Sequence, residues 1–443
     1  MPRLFGTDGI RGVANLELRP TLAYGLGRAT AARLLSAGES LLVGQDTRRS
    51  GDMFVAAIVA GACSLGADVH RLGVCPTPAL AHLTQHGPYR AGIMVSASHN
   101  PATDNGLKVL DEQGFKLDEP LEDELEALIW RADELGGPGN AGLGREIDAR
   151  AELAVYVEHR RLLASAVQTD ARVVLDCANG SGGVVAPGIL AASGADVEVR
   201  FNEPDGININ DGCGATSPEA LAAAVREGGA DIGFALDGDA DRCVAVDEHG
   251  SIVDGDQLIG LIALDRLARG ALPKGICVVS VLSNGGLEAA IRAAGGRVAR
   301  TPVGDKYILE GMLVSGAGLG GEKSGHVIVR EHTTSGDGIV TALEVLSIVA
   351  RSGKPLSQLA AQIPLYPQQQ RTVPARHKEQ WEADPTFADA VGEAQRALNG
   401  RGRVLVRPSG TEAALRIMVE GEDEQQVAQW ADQLAELAGQ RLN

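Results

Sequence analysis

Residues 41–69 begin Leu41-Leu42-Val43-Gly44-Gln45-Asp46, run through an Ala-rich stretch from Phe54 to Leu65, and close on Gly66-Ala67-Asp68-Val69. The short apolar run reads as a buried strand entering a polar loop. The Ala-rich stretch reads as a helix, and the glycine after it turns the chain into another strand. Strand, loop, helix, glycine turn and strand make a βαβ unit. The same grammar returns at Val173-Val174-Leu175-Asp176-Cys177-Ala178-Asn179-Gly180, with Gly194-Ala195-Asp196-Val197 after its helix. It returns again at Cys277-Val278-Val279-Ser280-Val281, with a helix from Gly286 and then Gly295-Gly296-Arg297-Val298. Three copies predict three similar α/β domains, with functional loops at the carboxyl ends of their strands.

Boundaries fall where composition loosens. Gly136-Gly137-Pro138-Gly139-Asn140 precedes a helical stretch with Tyr156 and His159, which opens a second domain. A third starts near Ser251 to Gly255, and Pro364 to Pro374, carrying Pro, Gln and a Tyr, reads as a linker. Beyond it lie a helix from Pro385 to Leu398, strands near Val404 and from Leu415 to Val419, and a last helix from Glu424 to Leu437. The expected fold class is α/β: three mixed-sheet α/β domains at 1–150, 151–252 and 253–365, and a smaller α+β domain at 366–443.

The chain of 443 residues is long enough to bury several cores. Aromatics are only 3%, so those cores rest on Ala, Val, Leu and Ile. The formal charge of −18 argues against nucleic acid and anionic lipid as partners, since both need clustered Lys and Arg. Cys63, Cys75, Cys177, Cys213, Cys243 and Cys277 form no Cys-x-x-Cys pair and read as reduced thiols. There is no apolar leader at Met1-Pro2-Arg3-Leu4 and no stretch near the ~20 apolar residues of a membrane span, so the cytoplasm is the expected address.

Four loops carry chemistry. Met94-Val95 end an apolar run that Ser96-Ala97-Ser98-His99-Asn100-Pro101 turns, which exposes Ser98 to a cleft. Asp104 to Lys108 reads as a tight turn and a new strand, so a hydroxyl, an imidazole (His99) and an amine (Lys108) gather on one loop. Ser and Asn there are also ordinary turn formers, while a serine hydrolase lacks its Gly-x-Ser-x-Gly. Asp237-Gly238-Asp239-Ala240-Asp241-Arg242 brings three carboxylates together, which repel unless a hard cation neutralises them. An EF-hand has similar spacing, but Arg242 stands where that loop needs Gly, and the flanks read as strands. Few protein ligands leave room for a phosphate oxygen, which favours Mg²⁺ over Ca²⁺. Gly321-Glu322-Lys323-Ser324-Gly325-His326 reads either as a sugar-binding loop or as a surface turn. Arg407-Pro408-Ser409-Gly410-Thr411-Glu412 offers a guanidinium fork and an anion nest, with Arg416 nearby, or else a bare turn. No Walker A motif is present, and Ala178-Asn179-Gly180-Ser181-Gly182-Gly183 reads as a close turn rather than a dinucleotide site.

Taken together and in this order, the four loops resemble the α-D-phosphohexomutase family over essentially the whole chain. The opening Phe5-Gly6-Thr7-Asp8-Gly9-Ile10-Arg11-Gly12 is similar to its glucosamine branch. The resemblance implies a heart-shaped molecule with a central cleft. It implies that Ser98 carries the transferred phosphoryl group, beside His99, and that Asp237, Asp239, Asp241 and the Ser98 phosphate hold one Mg²⁺ per chain. Lys108 and Arg11 would assist proton transfer and charge stabilisation. Glu322 and Ser324 would take sugar hydroxyls, with His326 and Lys306 nearby, and Arg407, Ser409, Gly410 and Thr411 would hold the non-reacting phosphate. The implied reaction interconverts glucosamine 6-phosphate and glucosamine 1-phosphate, feeding amino-sugar nucleotides for cell-wall precursors. The intermediate or activator is glucosamine 1,6-bisphosphate or glucose 1,6-bisphosphate. The alternative is phosphomannomutase or phosphoglucomutase chemistry on the same scaffold. Relatives also point to a homodimer, and Ser98 would be loaded by a kinase or by autophosphorylation.

Overall fold

A computed structural model describes residues 3–409 and 413–443. The chain forms two compact units: Met1–Leu282 with Ala294–Gln362, and Ser283–Ala293 with Ile363–Asn443.

The first unit holds three sheets of mixed direction. The first contains β1 (Ile10–Val13), β2 (Ser40–Gln45), β3 (Asp68–Val74), β4 (Tyr89–Val95), β5 (Asp104–Asp111) and β6 (Glu146–Asp148), in the order β1-β5-β4-β2-β3-β6. The second contains β7 (Arg172–Asp176), β8 (Asp196–Arg200), β9 (Ile232–Leu236), β10 (Cys243–Asp247) and β11 (Ile252–Val253), in the order β11-β10-β9-β7-β8. The third contains β12 (Ile276–Ser280), β13 (Arg297–Thr301), β14 (Leu319–Gly321) and β15 (Val327–Val329), in the order β13-β12-β14-β15. The predicted parallel pairs are present as β2/β3, β7/β8 and β12/β13.

Small residues let the first layer close. Helices Pro20–Leu34 and Gly51–Cys63 cross where a Cβ on Gly27 would stand 2.3 Å from the Ile58 carbonyl, and one on Gly61 would stand 2.2 Å from the Tyr24 carbonyl. Only bare glycines allow that approach. Leu41, Val43, Phe54, Ile58, Ile93 and Val95 fill the space between these helices and the sheet.

The second unit is the expected smaller α+β fold. Its sheet is antiparallel, β16 (Gln368–Pro374), β17 (Gly402–Pro408) and β18 (Ala414–Gly421), in the order β16-β18-β17. Helices Pro385–Ala397 and Glu424–Arg441 cover one face, with Phe387, Leu415, Ile417, Val419, Val427 and Leu434 buried between. The linker reading of Pro364 to Pro374 is corrected here, because Gln368 to Pro374 pairs along its whole length with β18. It is an edge strand of polar, half-exposed residues, so the pairing rests on the backbone and leaves no apolar alternation to read.

Candidate active site

Three of the four motif loops share one structural position. Residues 96–103 join β4 to β5, residues 237–242 join β9 to β10, and residues 322–326 join β14 to β15. In each case the first strand lies parallel to its inner neighbour and the second strand turns back antiparallel to it. Each loop therefore sits at the carboxyl end of its strand, where α/β sheets place their ligands. The strands on either side of 237–242 also settle the EF-hand question, because that loop needs helices.

The strand-end turn does not expose Ser98 as its position suggests: the residue is fully buried, because its hydroxyl turns onto the aspartate loop, and it adopts φ 53°, left-handed backbone that a serine holds only when its surroundings enforce it. Such a residue costs on the order of 1–3 kcal/mol. Its Oγ donates to Asp237 Oδ2 at 2.5 Å. Asp237, Asp239 and Asp241 are buried with one oxygen from each within 4.8 Å of the others, a set able to hold a metal ion. Burial, then the neighbouring Asp241 and Asp239, push Asp237 well above the usual carboxylate range. Asp239 Oδ1 and Asp241 Oδ1 are buried and accept no hydrogen bond among the described residues. Hard anionic oxygens left unmatched in this way fit a small divalent cation. The Gly180 turn backs the loop from behind: Ser181 N donates to the Gly238 carbonyl at 2.9 Å, and a Cβ on Gly180 would lie 2.5 Å from that oxygen.

Cations surround the triad. Lys108 Nζ donates to Asp239 Oδ2 at 2.7 Å and lies 3.3 Å from Asp8 and 3.7 Å from Asp241. Burial opposes its charge, but Asp239, Asp8 and Asp241 outweigh burial and hold the ammonium well above its ordinary value. Lys108 is therefore a fixed positive charge. Arg11 binds Asn100 Oδ1 at 3.0 Å and pairs with Asp8. Asp8 also accepts from Lys116, which pairs in turn with Asp305. Burial pulls Asp241 upward, yet Lys108, His326 and Arg242 together bring it below the usual range.

The two histidines differ. His99 Nδ1 lies 3.4 Å from Ser98 Oγ. Burial, then Arg242 and Arg11, lower His99 to about 4, so the ring is neutral near pH 7. His326 faces Asp241 at 3.7 Å through Nδ1, while its Nε2 accepts from Gly336 N at 3.1 Å. Asp241 raises its proton affinity against the cost of burial, but a ring that accepts at Nε2 carries one proton only. The hydrogen bond from Gly336 fixes the neutral form with its proton on Nδ1.

A cleft of about 380 Å³ opens over these groups, lined by Arg11, His99, Asp241, Arg242, Glu322 and His326 among others. Glu322 Oε1 accepts from Gly304 N at 3.1 Å, and Ser324 Oγ is buried without a partner among the described residues. The structure thus brings together Ser98, His99, Lys108, Arg11, the three aspartates, Glu322 and His326. It turns Lys306 elsewhere: that ammonium sits 3.3 Å from Glu119 and 3.4 Å from Glu122. Sequence reasoning passed over Asp8, Arg48, Lys116, Asn210 and Asp305, and used Arg242 only against the EF-hand. Asp8 and Arg242 stood inside quoted motifs, and Arg242, whose buried Nε makes no hydrogen bond among the described residues, lines the cleft.

The fourth motif lies in the second unit. Arg407 on β17 stands opposite Arg416 on β18, and burial, then Arg416, lower its proton affinity. Two guanidinium groups side by side, with Ser409 Oγ buried without a partner among the described residues, make a place for an anion. Gly410 and Thr411 lie outside the described residues.

Family models match in order along the chain: phosphoglucomutase/phosphomannomutase alpha/beta/alpha domain I over residues 2–136, domain II over 154–250, domain III over 254–366 and the C-terminal domain over 370–437. A protein named phosphoglucosamine mutase from Symbiobacterium thermophilum is 50% identical over 442 residues, 99% of each chain. One of the same name from Moorella thermoacetica is 50% identical over 430 residues, 96% of this chain and 97% of that one. In fold, the chain is similar to a phosphoglucomutase/phosphomannomutase family protein from Burkholderia thailandensis, with TM-score 0.84, 24% identity and coverage of 100% of this chain and 98% of that one. With three mixed-sheet domains, a smaller fourth, and relatives of this identity along its whole length, the chain belongs to the phosphoglucomutase/phosphomannomutase family.

Proposed function

We propose that this chain interconverts glucosamine 6-phosphate and glucosamine 1-phosphate through a phosphorylated Ser98 and a 1,6-bisphosphate intermediate, and so feeds amino-sugar nucleotide synthesis in the cytoplasm. The observation that carries the reading is Ser98 Oγ, 2.5 Å from Asp237 in a buried aspartate triad, in a chain 50% identical to a named phosphoglucosamine mutase. Among the described residues no helix is long and apolar enough to cross a membrane.

The unmatched Asp239 and Asp241 oxygens support one Mg²⁺ per chain, held by Asp237, Asp239, Asp241 and a phosphoryl oxygen on Ser98. When bound, Mg²⁺ would draw negative charge from the transferring group. Lys108, Arg11 and Arg242 add fixed positive charge at the same place, which phosphoryl transfer requires. A sugar hydroxyl attacks phosphorus and the bond from phosphorus to Ser98 Oγ breaks; the hydroxyl proton passes to the neutral His99 ring and from it to the leaving Ser98 oxygen, 3.4 Å from His99 Nδ1. Glu322 and Ser324 orient the sugar, with His326 held beside Asp241. Lys306 would reach it only by leaving Glu119 and Glu122. Arg407 and Ser409, with Gly410 and Thr411 of the same motif, grip a phosphate. The sugar then turns end for end and returns its other phosphate to Ser98. Glucosamine or glucose 1,6-bisphosphate, a kinase, or the chain itself would first load Ser98. The reading includes a homodimer, which light scattering checks.

The direct test is turnover of glucosamine 6-phosphate with Mg²⁺ and a trace of 1,6-bisphosphate. No turnover in that mixture sinks the proposal. A higher kcat/KM with glucose or mannose phosphates would move the chain to the phosphomannomutase or phosphoglucomutase reading.

A further inference from the structure

Ser98 holds its left-handed backbone because something outside the loop enforces it. The residue in position to do so is Arg48, which follows β2 and is 1% exposed. Its Nη2 donates to the Ser98 carbonyl at 2.9 Å and to the Asn100 carbonyl at 2.8 Å. Its Nη1 donates to the carbonyls of Pro101 and of Asp104, the latter at 3.0 Å. Its Nε donates to Asp46 Oδ2 at 2.9 Å. A guanidinium has five N–H donors in a fixed fork. All five are used, and four of them gather carbonyls from one seven-residue turn.

The opposite end of Ser98 is held by the same group at one remove. Ser98 N donates to Ser96 Oγ at 2.9 Å, and Ser96 Oγ donates to Asp46 Oδ2 at 2.6 Å. Asp46 Oδ1 accepts from Arg48 N at 2.9 Å. From the second sheet's side, Asn210 Nδ2 adds donors to the Ser98 carbonyl at 2.9 Å and to the Asn100 carbonyl at 3.1 Å. With amide and carbonyl both fixed, one direction remains for Cβ, and it brings Oγ onto Asp237.

We infer that Arg48, buttressed by Asp46 and assisted by Asn210, is the positioning residue that holds Ser98 in line for phosphoryl transfer. The inference rests on the reading of Ser98 as the phosphoryl carrier. The donors of Arg48 are all taken by protein groups, which leaves none for the sugar or the phosphate. Removing Arg48 should slow transfer without weakening binding. Lysine cannot substitute, since three donors on one nitrogen cannot span carbonyls that the fork reaches with two.

The test is steady-state and single-turnover kinetics of the full chain, phosphorylated at Ser98, for wild type, Arg48→Lys, Arg48→Ala and Asn210→Gly. Asn210 has φ 58°, so glycine removes its contacts without straining the backbone. Misplacement of about 1 Å costs roughly a hundredfold in rate. Arg48→Lys should therefore lose about two orders of magnitude in kcat and in the single-turnover rate, with KM within about threefold. Asn210→Gly should lose about tenfold, and millimolar guanidinium should restore part of the rate of Arg48→Ala. A purely structural arginine would lower the melting temperature and leave kcat of the folded enzyme intact. Wild-type kcat in folded Arg48→Lys overturns the inference. If neither Arg48 variant folds, wild-type kcat in Asn210→Gly overturns it. If wild type ignores glucosamine 6-phosphate but still passes the Ser98 phosphoryl group to another hexose phosphate, the sugar assignment fails and this inference stands.

Discussion

Replacing Lys108 with methionine should weaken the protein without metal, tighten its grip on Mg²⁺, and slow catalysis. The side chain is fully buried, and its ammonium lies 2.7 Å from Asp239 and 3.7 Å from Asp241. Methionine preserves the stem and deletes the charge. Removing one partner of a buried ion pair costs about 3–5 kcal/mol, because the other charge stays buried and unmatched. Here that charge is the metal-binding set itself. A divalent cation entering the triad neutralises the same oxygens, so much of the loss is recovered only when metal is bound. By linkage, whatever is recovered appears as affinity. Recovery of about half, near 2 kcal/mol, corresponds to roughly thirtyfold tighter Mg²⁺. Titration calorimetry measures that affinity, and denaturation with and without Mg²⁺ measures the stability loss. Turnover should fall at saturating Mg²⁺, since a positive charge is missing from the transferring group. Unchanged or weaker Mg²⁺ binding in Lys108→Met would show that the ammonium does not compete for these oxygens.

A second site predicts an asymmetry. Arg160 Nε and Tyr156 Oη both donate to Asp337 Oδ2 at 3.0 Å, while Asp337 Oδ1 caps the helix Gly338–Ser352 through the amides of Ile339 and Val340. Asp337→Ala strands a buried guanidinium and loses the cap, for about 5 kcal/mol; Arg160→Met leaves a carboxylate with three donors and costs about 1–3 kcal/mol. Chemical denaturation decides, and equal losses would contradict the cap. Gly180→Ala puts a Cβ 2.5 Å from the Gly238 carbonyl and 2.7 Å from its Cα, so the aspartate loop must shift; Mg²⁺ affinity and kcat should each fall about tenfold, as for other groups that orient metal ligands. Burial, then Arg160, lowers His82 to about 3, while an unfolded histidine titrates near 6.5. The folded state therefore binds fewer protons, and the stability that a neutral His82 contributes is present above pH 6.5 and lost as pH falls toward 3. Asp176, raised to about 6 by burial, acts in the opposite sense, so the measurement is the melting difference between wild type and His82→Gln, which should move in favour of the variant from pH 7 to 4.5.

The site was legible where its chemistry is contiguous. Asp237, Asp239 and Asp241 crowd three carboxylates able to hold a metal ion into five residues, and Ser98 and His99 announce themselves at a strand end. The parallel strands were legible because short buried apolar runs recur, each followed by a polar loop, a helix and a glycine turn into the next strand. What could not be read is assembled across the chain. Arg48 meets the Ser98 carbonyl 50 residues away, Asn210 meets it from 112 away, and Lys116 reaches Asp305 from 189 away. Nothing local in Gln45-Asp46-Thr47-Arg48 says which carbonyls its arginine will collect. The left-handed turn at Ser98 is hidden for the same reason, since serine has no preference for it and the cradle enforces it. β16 was missed because an edge strand needs only its backbone to pair.

The charge arrangement explains why such a cleft runs in both directions. Asp8, Asp237, Asp239, Asp241 and Asp305 face Lys108, Lys116, Arg11 and Arg242, and almost every one is paired within the cleft. Moving a phosphoryl group from Ser98 to a sugar hydroxyl exchanges one oxygen–phosphorus bond for another and leaves the total charge inside unchanged. The fixed cations therefore stabilise the group in transit more than at either end. A cleft that stabilised the phosphoserine alone would trap the enzyme in one state. Two partly liganded aspartates and a strained serine keep that state reachable from both sides: the strain raises the resting alcohol, and the unmatched oxygens wait for the cation. On this argument Arg48→Lys and Lys108→Met should slow forward and reverse turnover by the same factor. An equilibrium constant has no memory of the catalyst, so unequal factors at matched saturation would locate the altered step in binding rather than in transfer.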